Sequence, residues 1–151
     1  MGHAQIRSFD RTGARRVEVD RPRDRLVPGV VELVKKFGLQ ERVLFSSFLP
    51  HNLVRAKKLL PQVPCGLLVW AGWMGWWGRA FGFRSNVYQA LHPNLANVTP
   101  GLVKRVQAAR RKVNVWTINT EADLKRMVAY GVDGMITDDP ALAVRLLGRG
   151  G

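Results

Sequence analysis

Val113-Asn114-Val115-Trp116-Thr117-Ile118 is a short, mostly apolar run that reads as a strand, and Gly134-Met135-Ile136-Thr137 reads as a second one about one helix further on. Between them, Thr120 and Asp123 resemble a capping box with Asp in place of the usual Glu or Gln, opening a helix that carries Leu124, Met127 and Val128. Beyond the second strand, Asp139-Pro140 caps a terminal helix over Ala141 to Leu147. The unit is therefore strand, helix, strand, helix.

The same alternation continues toward the N-terminus. Thr99-Pro100 offers an N-cap with proline at the first helical position, ahead of Leu102, Val103 and Val106 at helical spacing. A short extended piece falls near Val87 to His92. Gly66-Leu67-Leu68-Val69-Trp70 is a strand, and Leu53, Val54, Leu59 and Leu60 mark a helix ended by Pro61. Val43-Leu44-Phe45-Ser46-Ser47-Phe48 is another strand. Val27, Val30, Val31, Val34 and Phe37 mark the first helix, with Gly38 suited to a left-handed cap. Alternating strands and helices predict a parallel sheet, with strands apolar on both faces. Residues 26–151 form this patterned part. Residues 1–25 are basic, rich in arginine and poorly patterned, and read as a frayed leader or, at Arg15 to Val19, an edge strand.

The chain has 151 residues, one domain's worth, and is 46% hydrophobic and 23% charged, as a soluble globular protein would be. Met1 to Arg25 has no apolar core of a signal peptide, and Cys65 to Phe83 is interrupted by glycines and Arg79. These points, with the lone Cys65 that permits no internal disulfide, lead us to expect a cytoplasmic protein. The net charge of +13 raises nucleic-acid binding, but the lysines and arginines fall between the apolar positions of predicted helices, as in Lys35, Lys36, Lys104 and Arg105. Solvated helix faces are the better reading, and no recognition motif supports a nucleic-acid partner.

Four motifs, in order and at the right spacing, resemble the glycerophosphodiester phosphodiesterase family. Val113 to Asn119 is similar to its Val-x-Trp-Thr-x-Asn strand. Gly131 to Pro140 is similar to its closing Gly-Val-Asp-Gly-x-x-Thr-Asp-x-Pro strand. Arg42 to Phe48 resembles its Ser-Ser-Phe strand, and Leu91-His92-Pro93 its His-Pro strand end. The resemblance covers roughly Leu26 to Leu147. It implies a partial TIM (β/α)8 barrel, represented by the C-terminal strands and helices, because such barrels take about 250 residues. The family's opening His-Arg-Gly strand, Glu-x-Asp metal pair and His-Asp motif match nothing here, and His3 does not fit the first of them. No catalytic residue is therefore assigned.

The resemblance implies metal-assisted hydrolysis of glycerophosphodiesters to glycerol 3-phosphate and an alcohol. It makes Trp116 and Phe48 walls of the substrate pocket and His92 a third substrate-binding candidate. Glu18 matches the family's metal glutamate, although Arg16 and Asp20 depart from the flanking Asn and Lys. One carboxylate does not hold Mg²⁺ or Ca²⁺, so the divalent metal belongs to the complete domain. A chain without the paired histidines is expected to be inactive by itself. The alternative is a non-catalytic half barrel that self-associates or binds a complementary chain through open strand edges. Finally, Trp70 to Phe83 concentrates tryptophan and phenylalanine beside Arg79. It reads as a lid with buried tryptophans, ahead of a membrane-surface contact.

Overall fold

The computed structural model describes residues 25–148. The chain runs α1 (Leu26–Lys36), β1 (Phe45–Ser47), α2 (Pro50–Leu59), β2 (Cys65–Val69), α3 (Trp76–Phe81), β3 (Ala90–Pro93), α4 (Pro100–Ala108), β4 (Lys112–Val115), α5 (Glu121–Tyr130), β5 (Gly134–Met135) and α6 (Pro140–Leu147). The expected caps form. Thr99 Oγ1 accepts from Leu102 N at 3.1 Å, Thr120 Oγ1 from Asp123 N at 3.1 Å, and Asp139 Oδ1 from Leu142 N at 2.9 Å. Each satisfies an amide that the first helical turn leaves open. Pro50, Pro100 and Pro140 lie in the first turns of α2, α4 and α6, where a missing N–H costs nothing. Residues 73–85, whose sequence shows no clear period, contain α3 between 3-10 turns at Trp73–Gly75 and Gly82–Arg84.

The strands form one parallel sheet in the order β1-β2-β3-β4-β5. Right-handed crossovers between neighbours in chain order place the connecting helices on one face. The core agrees with that placement. Cys65, Leu67, Val69, Leu91, Val113 and Val115 alternate onto one side of the sheet and cluster with Leu53 of α2, Leu102, Val103 and Val106 of α4, and Leu124 and Met127 of α5. A second cluster joins Val27, Val31 and Val34 of α1 to Ala56, Leu60 and Val63. Cys65, in the first cluster, is fully buried, and burial pushes its thiol pKa up, against a smaller opposing effect of Lys57. It is an inert core residue.

The expectation of two apolar faces is not met. The register pairs Ser46 with Gly66, His92 with Leu68, and Asn114 with Gly134. Strand alternation then puts Ser46, Gly66, Ala90, His92, Asn114 and Gly134 on the side away from the helix-covered face. That side is mostly small and polar, with Leu68 beside His92, whereas the helix-covered side is aliphatic. Among the described residues, helices cover one side of the sheet only.

Candidate active site

The polar face carries a chain of hydrogen bonds across β1, β3 and β4. The Asn114 amide Nδ2 donates to His92 Nε2 at 3.0 Å. An amide nitrogen only donates, so Nε2 is the unprotonated nitrogen and Nδ1–H donates to Ser46 Oγ, 2.9 Å away. The ring lies over Gly66, where a Cβ would come within 2.3 Å of Nε2. Asn114 in turn occupies the space over Gly134, where a Cβ would stand 2.5 Å from Oδ1. Two strand glycines thus make room for two polar side chains. His92 is 2% exposed, and burial lowers its pKa to about 4. The imidazole is neutral at physiological pH.

Two residues beyond this row, period-2 alternation brings three aromatics onto the same side at the C-terminal ends of their strands. Phe48 follows Ser46, Trp70 follows Leu68 and Trp116 follows Asn114. The Phe48 ring stacks on Trp70 with centroids 4.0 Å apart and an interplanar angle of 15°. It meets Trp116 edge-on at 5.5 Å and 78°. Trp116 Nε1 donates to the main-chain oxygen of His92 at 2.7 Å, which sets the orientation of the indole. The result is a half-buried aromatic wall above a neutral polar floor. Such a wall packs carbon atoms and excludes water.

A second polar group flanks the wall. Asn119 Nδ2 donates to Asp138 Oδ2 at 2.7 Å, and Asn119 Oδ1 accepts from Asp138 N at 3.0 Å. This pair ties the loop after β4 to the loop after β5, so Asp138 orders a loop. Ser47 turns onto the helix side, where its Oγ accepts from Leu49 N at 3.0 Å.

Of the sequence-nominated residues, Phe48 and Trp116 come together and touch. His92 reaches the wall through its carbonyl, while both ring nitrogens are held by protein partners. Glu18 lies outside the described residues. Among the described residues no group of three or more His, Cys, Asp or Glu side chains comes together as a metal site. The described donors therefore do not fit the divalent ion that the resemblance implies. Sequence reasoning missed Ser46, Asn114 and the stacking of Trp70. Polar residues inside apolar strands, and glycine within β2, were the available signals.

Comparison with known proteins bears on this arrangement. The family model described as Glycerophosphoryl diester phosphodiesterase family matches residues 6–142. A protein named glycerophosphodiester phosphodiesterase from Caldanaerobacter subterraneus subsp. tengcongensis is 36% identical over 130 residues, covering 83% of this chain and 52% of its own length. One of the same name from Bacillus altitudinis is 32% identical over 131 residues, covering 79% and 50%. A phosphodiesterase from Oleispira antarctica, solved in complex with the product sn-glycerol-3-phosphate, aligns with a TM-score of 0.69 at 28% identity, over 82% of this chain and 49% of that one. The chain spans about half the length of the curated relatives it matches.

Proposed function

Because this chain belongs to the glycerophosphoryl diester phosphodiesterase family, we propose that its sheet is an arc of a (β/α)8 barrel whose strand ends supply the substrate-holding side of a glycerophosphodiester phosphodiesterase site. Strands in chain order with helices on one side are what such an arc requires, and barrel active sites lie at the C-terminal strand ends. The aromatic wall of Phe48, Trp70 and Trp116 at that end carries the reading.

Phe48 and Trp116 pack the glycerol carbons of the substrate, which leaves its phosphate directed toward groups outside this wall. His92 acts through its main-chain oxygen, which holds the Trp116 indole in place. Its ring is a poor proton carrier, since both nitrogens are engaged and its pKa of about 4 lies far from neutrality. Ser46, His92 and Asn114 are positioning residues. Proton transfer and metal binding belong to groups matched by none of the described residues, with Glu18 as the metal candidate outside them.

Titration of the 151-residue chain with sn-glycerol 3-phosphate tests this. The Trp116 indole N–H resonance is expected to shift, and Trp116→Leu to weaken binding by about tenfold or more, the equivalent of about 1.4 kcal/mol. Saturable binding that leaves the Trp116 resonance in place would sink the assignment. Hydrolysis of glycerophosphocholine by this chain, with Mg²⁺ or Ca²⁺ supplied, should not exceed that of a Glu18→Ala control. Turnover above that control would mean that the acid and base are present after all.

A further inference from the structure

The tryptophans after β2 are exposed, where a lid with buried tryptophans was expected. Trp73 is 86% exposed, Trp77 69% and Trp76 52%. Trp76, Trp77 and Phe81 nevertheless form one contiguous aromatic plate, packed largely edge to face, and the exposed Trp73 precedes it in the chain. Trp76 meets Trp77 at 5.0 Å, and Phe81 lies 5.3 Å from Trp77 and 6.0 Å from Trp76. A contiguous aromatic plate held out in water marks an interaction surface, whereas single exposed rings do not.

The plate is fixed from behind. The Arg79 guanidinium donates to the main-chain oxygens of Trp70 and Gly72. Gly72 N donates to Asn97 Oδ1 at 2.8 Å. Gly78 lies against β2, where a Cβ would come within 2.9 Å of the Val69 side chain. The sheet-facing side of α3 is therefore already packed, and the rings stand exposed among the described residues.

Beside the plate, a cleft of about 420 Å³ is lined by Arg79, Arg84 and Arg105 together with Trp76 and Phe81, and by no acidic side chain among the described residues. Arg84 lies over the Phe81 ring, 5.8 Å from its centroid. Neither Arg84 nor Arg105 takes part in the ion pairs found among the described residues, which lie on α5.

From the exposed aromatic plate and the arginine cleft beside it, we propose that α3 and its flanking turns dock on an anionic phospholipid surface. Trp73, Trp77 and Phe81 enter the headgroup boundary, and Arg84 and Arg105 take lipid phosphates. Tryptophan rings and arginines side by side suit that boundary, since one end of each is apolar and the other seeks phosphate or water. A small soluble anion would fill the cleft and leave Trp73 and Trp77 in water, so the plate favours the extended surface. The contact is peripheral, as no helix among the described residues is long and apolar enough to cross a membrane.

Flotation of the 151-residue chain with two vesicle types tests the proposal. One is phosphatidylcholine alone, and the other is phosphatidylcholine and phosphatidylglycerol in equal parts. The chain should float with the second and not the first. A strongly basic protein adheres to anionic vesicles by diffuse charge, so the decisive variant keeps the charge. Trp73→Ser combined with Trp77→Ser should weaken binding by about tenfold or more. Both rings are exposed, so folding should be unaffected, and an unchanged thermal melt checks this. Arg84→Gln with Arg105→Gln should weaken binding to the phosphatidylglycerol vesicles more than the equally neutralising pair Lys35→Gln with Lys36→Gln on α1. Tryptophan fluorescence of the bound protein should be quenched by brominated acyl chains, and less so in the double serine variant. Unchanged binding by that variant, or absence of quenching, would overturn the proposal and leave diffuse charge as the cause.

Discussion

Gly66→Ala is expected to lower the unfolding free energy by about 3 kcal/mol, although it adds a single methyl group. The new Cβ would fall 2.3 Å from His92 Nε2 and 2.4 Å from Cε1. The ring cannot swing aside cheaply. It is buried, and it is held at Nδ1 by Ser46 and at Nε2 by Asn114. Displacing it breaks both hydrogen bonds and strands buried polar atoms, at about 1–3 kcal/mol, in addition to about 1–3 kcal/mol for overpacking. The diagnostic comparison is the double variant. Once His92→Ala has removed the ring, Gly66→Ala should cost less than about 1 kcal/mol, as for glycine to alanine at an unobstructed strand position. Denaturant unfolding of the four proteins yields the coupling energy. Additive effects would mean that the ring and the glycine are not in contact.

Acidification should destabilise the chain by about 3 kcal/mol through His92 alone between pH 7 and pH 4. The folded-state pKa is lowered by burial to about 4, and the unfolded value is about 6.5. Below pH 6.5 the unfolded chain takes up a proton that the folded chain refuses, so acid favours unfolding. The stabilisation is complete above about pH 6.5, falls through the window between the two values, and is gone once the folded ring is protonated near pH 4. Carboxylates titrate in the lower part of that window, so the readout is a difference between proteins. His92→Gln lacks the titrating ring, and its stability should change less from pH 7 to pH 5. Parallel pH profiles for the two proteins would show that His92 titrates alike in both states. A chemical shift titration of the His92 ring that places its pKa near 6.5 would contradict the same expectation.

Apart from α3, the sequence determined the order of strands and helices by itself, because those choices are local. Thr99, Thr120 and Asp139 cap helices that a 3.6-residue apolar period had already marked, and Gly38 takes the left-handed conformation its position called for, with φ of +64°. The motifs around Trp116 and Asp138 were enough to place the chain in a family. The resemblance singled out Phe48 and Trp116 together, and their rings meet in the fold. Only the tertiary structure decided how the polar face is built. Ser46, His92 and Asn114 lie on three different strands, and the register that aligns them depends on pairings between residues far apart in the chain. The same holds for the aromatic wall, where Trp70 joins Phe48 and Trp116 only because alternation along three paired strands points them the same way. The tryptophans after β2 show the limit most plainly. Composition marked them as aromatic and basic, but whether they are buried or exposed follows from α3 packing its glycine side on Val69, which a local pattern does not encode.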